Sequence, residues 1–285
     1  METIKIKAPA KVNLTLEVLN KRHDGFHNIQ SIMQTISLYD YITINLNRNF
    51  SGEEIILSGT SNQIPYDETN LVYKAAKLFF ETAEISNYSI EIFIEKNIPI
   101  AAGLAGGSTD AAATLFELNE LFENVFTETK LHELCSKLGS DLNVCLKGGC
   151  ILATGRGEQI QNLPVSENKI SLIKPKNLGI SAKEAYTKYS KKPLKTEKTK
   201  TQEMIKALNN GKNISEFLYN DLEYAVFEDY KELQTIKKKY PKSIMTGSGS
   251  TYFVLNETIN ETDNNYDIFN DLSFTQNGVC KVLDR

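Results

Sequence analysis

Pro99-Ile100-Ala101-Ala102-Gly103-Leu104-Ala105-Gly106-Gly107-Ser108-Thr109-Asp110-Ala111-Ala112 is the stretch on which the fold turns. A run with strand alternation ends there, glycines crowd a turn, and apolar residues at Ala112, Leu115, Leu118 and Phe122 give the following segment a buried helical face. Ser108 or Thr109 is expected to cap that helix. Gly103, Gly106 and Gly107 let the backbone pass close to a ligand or take φ > 0. The N–H groups of the first helical turn face whatever sits in the loop, and an anion is the natural guest. A helix dipole supplies about 0.3–1 kcal/mol, whereas micromolar nucleotide affinity needs about 8 kcal/mol. Several charge-assisted N–H bonds, at about 1.5–3 kcal/mol each, must supply the rest. No Lys follows the glycines as in a Walker loop, and the G-x-G-x-x-G spacing is missing. Positive charge for a phosphate must come from elsewhere in the chain.

Outward from this loop, residues 3–19 alternate as a strand interrupted at Pro9, Asp24-Gly25 signals a turn, and 29–46 alternates again in places. Helices are expected over 71–84, with Thr69 or Asn70 near the N-cap, over 108–122 and over 128–138; 88–94 reads as a strand. Strands and helices mix without strict βαβ alternation, which predicts an α+β fold. A boundary near residue 165, after Leu163-Pro164, divides the chain into 1–165 and 166–285, and ligand clefts favour such junctions. Residues 188–200 hold six lysines, read either as a solvated loop or as a segment that meets a substrate phosphate. Residues 256–270 turn acidic and Asn-rich, as expected of a loop plus a peripheral helix.

The charge could come from Ala8-Pro9-Ala10-Lys11-Val12-Asn13-Leu14, where Lys11 and Asn13 share one face of the first strand. That face meets solvent if the strand is an edge, or places an ammonium and an amide in a cleft. In Leu138-Gly139-Ser140-Asp141-Leu142-Asn143, the Asp141 carboxylate is either the N-cap of a short helix or a base held in a cleft. Met245-Thr246-Gly247-Ser248-Gly249-Ser250 runs into a strand at Tyr252 and could close over an anionic substrate with hydroxyl and N–H groups. A net charge of −4 gives no general attraction to nucleic acid or anionic membrane. The first residues contain no signal-peptide core and no stretch is long enough to span a bilayer, so a cytoplasmic protein is expected. Cys135, Cys145, Cys150 and Cys280 form no CxxC pair, and His23, His27 and His132 no metal-binding spacing; no structural metal is expected and the thiols are read as packing groups.

Together these residues resemble the GHMP kinase superfamily: Pro9-Ala10-Lys11-Val12-Asn13-Leu14, Arg22-His23-Asp24-Gly25-Phe26-His27, the central glycine loop, Gly139-Ser140-Asp141, Gly155-Arg156-Gly157-Glu158 and the 245–250 loop follow its order over nearly the whole chain. The resemblance implies an α+β fold of two lobes, a ribosomal S5 domain 2-like N-terminal lobe and a ferredoxin-like C-terminal lobe, with the active site in the cleft between them. It implies an ATP-dependent small-molecule kinase that uses Mg²⁺, acts on an alcohol group and functions as a monomer or weak homodimer. Lys11 and Asp141 match the catalytic pair. Pro99, Ile100, Ala101, Ala102, Gly103, Leu104, Ala105, Gly106, Gly107, Ser108 and Thr109 match the ATP phosphate loop, and Asn70 falls near the adenine side. Asn13, Phe26, His27, Tyr186, Gly247, Ser248 and Gly249 match substrate positions, with Phe26 and Tyr186 flanking a cytosine and His27 reading it. These last three favour a cytidylyl polyol diphosphate as acceptor over homoserine, mevalonate or a sugar. Lys11 and Asp141 argue against a catalytically silent ligand sensor. Three departures from the family pattern bear on the site: Ala105 replaces a frequent Gly, tolerable if its φ is negative, Thr109 replaces a frequent Ser, and Asn143 replaces the usual Pro.

Overall fold

The computed structural model describes residues 2–192 and 199–281 of the chain. In chain order its elements are β1 (Glu2–Lys21), β2 (His27–Asn47), β3 (Glu53–Gly59), α1 (Leu71–Ala83), β4 (Tyr88–Glu95), α2 (Gly106–Leu121), α3 (Glu128–Leu138) and α4 (Leu142–Lys147). There follow β5 (Cys150–Gly155), β6 (Gln159–Leu163), β7 (Lys169–Pro175), α5 (Ala182–Tyr189), α6 (Lys200–Asn209), β8 (Tyr219–Asn220) and α7 (Asp221–Val226). The last are α8 (Lys231–Lys239), β9 (Ile244–Met245), β10 (Tyr252–Leu255), β11 (Tyr266–Ser273) and β12 (Cys280–Lys281). The mixture is the expected α+β class.

The first sheet has eight strands and is built on the long β1–β2 hairpin. The first part of β2, Ile29 to Gln34, pairs with β5, and its last part, Tyr41 to Asn47, pairs with β4. One strand therefore serves two branches of the sheet. The period-two apolar pattern of β1 is sustained by burial at Ile6, Ala8, Ala10, Val12, Leu14, Leu16 and Val18. Pro9 does not interrupt the strand, contrary to the expectation; the ladder shifts register between Pro9 and Lys11 instead. A bulge accommodates the missing proline N–H without ending the strand.

The second sheet runs β11-β7-β10-β9, all antiparallel. Residue 165 lies between β6 and β7, where the chain leaves the first sheet for the second, but β8 and β12 return to pair with β1. The peripheral helix expected within 256–270 is absent: a loop leads into β11, which pairs with the edge of β7. Asn and Asp compete with helical backbone bonds, and the open β7 ladder offers this segment partners that a lone surface helix would lack.

Helices α1, α2 and α3 pack on one face of the first sheet, with Phe79, Phe80, Leu115, Leu118 and Leu134 among their buried residues. Asn70 caps α1, its Oδ1 accepting from the Val72 N–H at 2.9 Å. A second cluster joins Val12, Leu14 and Ile32 to Leu172 and Phe253, which fixes the two sheets against each other. Cys135, Cys145 and Cys150 are buried and unpaired, as expected of packing groups. No helix among the described residues is long and apolar enough to cross a membrane.

Candidate active site

Lys11 and Asn13 lie in the interior, 3% and 1% exposed, so the edge-strand alternative does not hold. Register shifts on either side of them, between Pro9 and Lys11 and between Asn13 and Thr15, release both backbone N–H groups from the β1–β2 ladder. The Lys11 N–H donates to the Leu104 carbonyl at 3.1 Å, and the Asn13 N–H donates to Thr246 Oγ1 at 3.0 Å. One bulged strand thus holds both glycine loops. The loops also touch directly: a Cβ on Gly103, at φ +75°, would stand 2.1 Å from the Thr246 carbonyl oxygen, so only glycine fits. The Lys11 ammonium donates to Asn13 Oδ1 at 2.8 Å and to the Gly103 carbonyl at 3.1 Å, and its third partner is the Asp141 carboxylate at 3.4 Å. Asn220 secures the second loop by donating to the Met245 and Gly247 carbonyls at 2.6 and 2.9 Å.

Helix α2 begins at Gly106, earlier than expected, so Ser108 and Thr109 lie within it and neither caps it. The N-cap position is Ala105 at φ +62°, the left-handed region rather than the negative φ that would have made alanine easy there. That conformation costs an L-residue roughly 1–2 kcal/mol, and such strain gathers at ligand loops. The first i→i−4 bond runs from the Thr109 N–H to the Ala105 carbonyl, which leaves the Gly106, Gly107 and Ser108 N–H groups ahead of the ladder with no side-chain cap. A Cβ on Gly107 would meet nothing within 4 Å. An uncapped N-terminus beside open space is a site for an anion.

Beneath this loop lies a buried ionic cluster. Lys96 pairs with Asp40 and, at 2.8 Å, with Asp110, while Asp40 Oδ1 accepts the Asn97 and Ile98 N–H groups at 2.6 and 2.8 Å. Burial pushes the Asp110 carboxyl up; the Lys96 ammonium pulls it down and the Asp40 carboxylate adds to the rise, leaving it at about 8. With its unfolded value near 3.8, the native state binds more protons than the unfolded one from about pH 4 to pH 8, so this group's contribution to stability is full in acid and lost as pH rises through that window. Asp110→Asn mimics the protonated form. Its melting temperature between pH 5 and 9 is expected to vary less than that of the wild type; parallel profiles would contradict this assignment.

Asp141 occupies the N-cap position of α4 but makes no capping bond; its side chain turns to Lys11 instead. The cleft that Lys11 and Asp141 line has a volume of about 950 Å³. Of the expected residues, Asn13, Phe26, His27, Gly103, Ala105, Ser108, Tyr186, Gly247 and Ser248 also line it. Ala102, Leu104 and Thr109 are buried in the packing behind the loop. Pro99, Ile100, Ala101, Gly106, Gly107 and Gly249 do not form its wall, and neither does Asn70, whose amide donates to the Pro65 carbonyl while its oxygen caps α1. His27 stacks on Tyr186, ring centroids 5.4 Å apart at 16°, so those two rings already touch. Burial and the nearby Lys21 charge lower the His27 pKa, favouring a neutral imidazole with one donor and one acceptor nitrogen. Phe26 is 53% exposed beneath the Arg156 guanidinium.

The sequence does not assign Lys21, Ser140, Arg156 or Lys183 to the cleft, yet all line it, and so does Lys191 from the 188–200 segment, for which contact with a substrate phosphate is one of the two readings. The spacing of Lys183, Tyr186, Thr187, Ser190 and Lys191, one face of α5 and its end, was the available signal. In the lysine-rich stretch, Lys188 pairs with Glu184 and Asp229 and Lys192 with Glu228, while residues 193–198 lie outside the described residues.

The GHMP kinases N terminal domain family matches residues 70–149. Over 258 residues the chain is 41% identical to a 4-diphosphocytidyl-2-C-methyl-D-erythritol kinase of Clostridium tetani (strain Massachusetts / E88), covering 88% of this chain and 90% of that protein. It is 42% identical to the protein of the same name from Clostridioides difficile (strain 630), over 90% of this chain and 87% of that one. The chain belongs to the 4-diphosphocytidyl-2-C-methyl-D-erythritol kinase family. A crystal structure of a 4-(cytidine 5'-diphospho)-2C-methyl-D-erythritol kinase matches this family member with a TM-score of 0.70 and 30% identity, covering 89% of this chain and 90% of that one. A homoserine kinase from Cytophaga hutchinsonii shares the fold, with a TM-score of 0.77 at 18% identity over 99% and 98% of the two chains. The family assignment makes the chain an ATP-dependent kinase with the two-lobed GHMP fold.

Proposed function

We infer that this chain transfers the γ-phosphoryl group of ATP to the 2-hydroxyl of 4-diphosphocytidyl-2-C-methyl-D-erythritol, giving the 2-phosphate and ADP in the methylerythritol phosphate route to isopentenyl diphosphate. The observation that carries the mechanism is the meeting of Lys11 and Asp141, 3.4 Å apart, beside the Gly103 carbonyl. Phosphoryl transfer asks a protein chiefly for positioning and charge stabilisation. Asp141 accepts the proton of the attacking hydroxyl. Lys11 stabilises negative charge on that oxygen and on the transferring group, and its bonds to Asn13 and Gly103 fix where the charge sits. The N–H groups of Gly106, Gly107 and Ser108 take the nucleotide phosphates. Asn13 and the Gly247, Ser248 and Gly249 loop orient the acceptor.

Mg²⁺ prefers oxygen donors and keeps several of its waters. No group of three or more His, Cys, Asp or Glu gathers among the described residues, but the cleft offers the Ser108 hydroxyl and the Asp141 carboxylate. That sparse oxygen set fits an ion carried mainly by the nucleotide, whose chemistry is to neutralise charge on the phosphates. Residues 1–165 contribute the phosphate loop and the catalytic pair, and residues 166–285 the second glycine loop and Tyr186. The unpaired, buried thiols suit a cytoplasmic setting.

Phe26 and Tyr186 provide the aromatic walls for cytosine, and His27 the hydrogen bonds that read it. Phe26→Ala is expected to raise KM for the cytidylyl acceptor roughly 10-fold, from stacking worth about 1–3 kcal/mol, while KM for ATP is unchanged. Steady-state kinetics with each substrate varied in turn reads the difference. An unchanged acceptor KM would point to a different acceptor.

A further inference from the structure

Asn143 fills a position next but one to Asp141 and is 3% exposed. Both of its donor hydrogens are used: Nδ2 donates to Ser136 Oγ and to the Glu158 carbonyl, both at 2.8 Å, and Oδ1 lies 3.0 Å from His132 Nδ1. Three separate pieces meet on it: α3 through His132 and Ser136, the start of α4 that follows Asp141, and the turn between β5 and β6 that carries Arg156. That turn is itself closed by Glu158, whose Oε2 accepts the Arg156 N–H at 2.6 Å. Gly157 brings it against the Asp141 loop so closely that an added Cβ would stand 3.3 Å from Ser140 Cβ. Ser140, Asp141 and Arg156 all face the cleft, whereas Asn143 does not line it.

We propose that Asn143 is a positioning residue that locks the loop bearing Asp141 to the turn bearing Arg156, so that the base and this part of the basic wall hold one relative placement around the acceptor. This rests on the reading of Asp141 as the base. A bond network of this kind acts on the acceptor side alone, because none of the bonds of the Asn143 side chain reaches the 99–109 loop.

The test is steady-state kinetics on the full-length enzyme. Asn143→Ala is expected to raise acceptor KM and lower kcat, each about 10-fold, with KM for ATP held within about 2-fold. In the double variant Asn143→Ala/Arg156→Ala, acceptor KM should be no higher than in Arg156→Ala alone, since the first change acts through the second residue. A purely structural Asn143 would lower the melting temperature and leave the constants of the folded enzyme alone. That outcome, additive effects on acceptor KM, or an equal rise in KM for ATP would each overturn the proposal. Should the alanine variant fail to fold, Asn143→Asp keeps the volume and the oxygen facing His132 while losing both donors. The same KM-against-kcat split is then expected, and its absence counts against the clamp. Asp141→Asn, assayed alongside, separates the two ideas: retained turnover there rejects the base assignment, whereas lost turnover without Asn143–Arg156 coupling rejects only the clamp.

Discussion

Asp141→Asn is expected to lower kcat by about 10²–10⁴-fold, the range for loss of a positioned general base, with little change in melting temperature. The structural half of this expectation comes from what Asp141 does not do. It stands at the N-cap of α4 but makes no capping bond, and its side chain is about a third exposed, so α4 does not depend on its charge. Asparagine occupies nearly the same space and can still meet the Lys11 ammonium through its oxygen. What it cannot do is take a proton from the acceptor hydroxyl. Single-turnover measurement of ADP formation at saturating substrates checks this, with thermal melting as the control. Turnover at the wild-type level would remove Asp141 from the chemistry.

Lys11→Ala should lower kcat by about 10²–10³-fold, comparable to the removal of one donor aimed at developing charge, while the dissociation constant for ATP changes far less. Lys11 is buried between Asn13, the Gly103 carbonyl and Asp141, so it touches the phosphate loop from the acceptor side. The N–H groups at the start of α2 remain for the nucleotide. This variant also takes the ammonium from Asn13 Oδ1 and the Gly103 oxygen, leaving them one Thr246 hydroxyl to share at 3.4 and 3.3 Å; with one of the two then unsatisfied, at a cost of about 1–3 kcal/mol, a lowered melting temperature is expected. Calorimetric ATP binding set against single-turnover rates distinguishes the roles. A loss confined to nucleotide affinity would place Lys11 with the phosphates and not at the reacting oxygen.

The glycine-rich turn into α2 was legible because its signal is local: glycine spacing, small residues and a helical apolar face within a few turns. Lys11 was only half legible. Strand alternation puts it on a face with Asn13, but whether that face meets water depends on two bulges and on loops more than 90 residues away in sequence, which no local pattern encodes. Asp141 was ambiguous for a similar reason, since N-cap and base call for the same residue type in the same turn. The strained φ of Ala105 ran against local preference, since alanine rarely adopts it unless surrounding structure imposes it. The strand β11 was misread as a helix because an edge strand made of Tyr, Asp, Ile and Asn owes its form to its neighbour β7 more than to its own pattern. Asn143 was visible only as a departure from a family habit; its three partners come from two other elements, α3 and the turn between β5 and β6.

The most direct test is ADP release from ATP with purified enzyme, offering 4-diphosphocytidyl-2-C-methyl-D-erythritol, homoserine, mevalonate and galactose in parallel. Rapid ADP formation with the cytidylyl compound, and with none of the other three, is the predicted result. Equal or faster turnover of any of the others, or no turnover of the cytidylyl compound by folded enzyme, would contradict it.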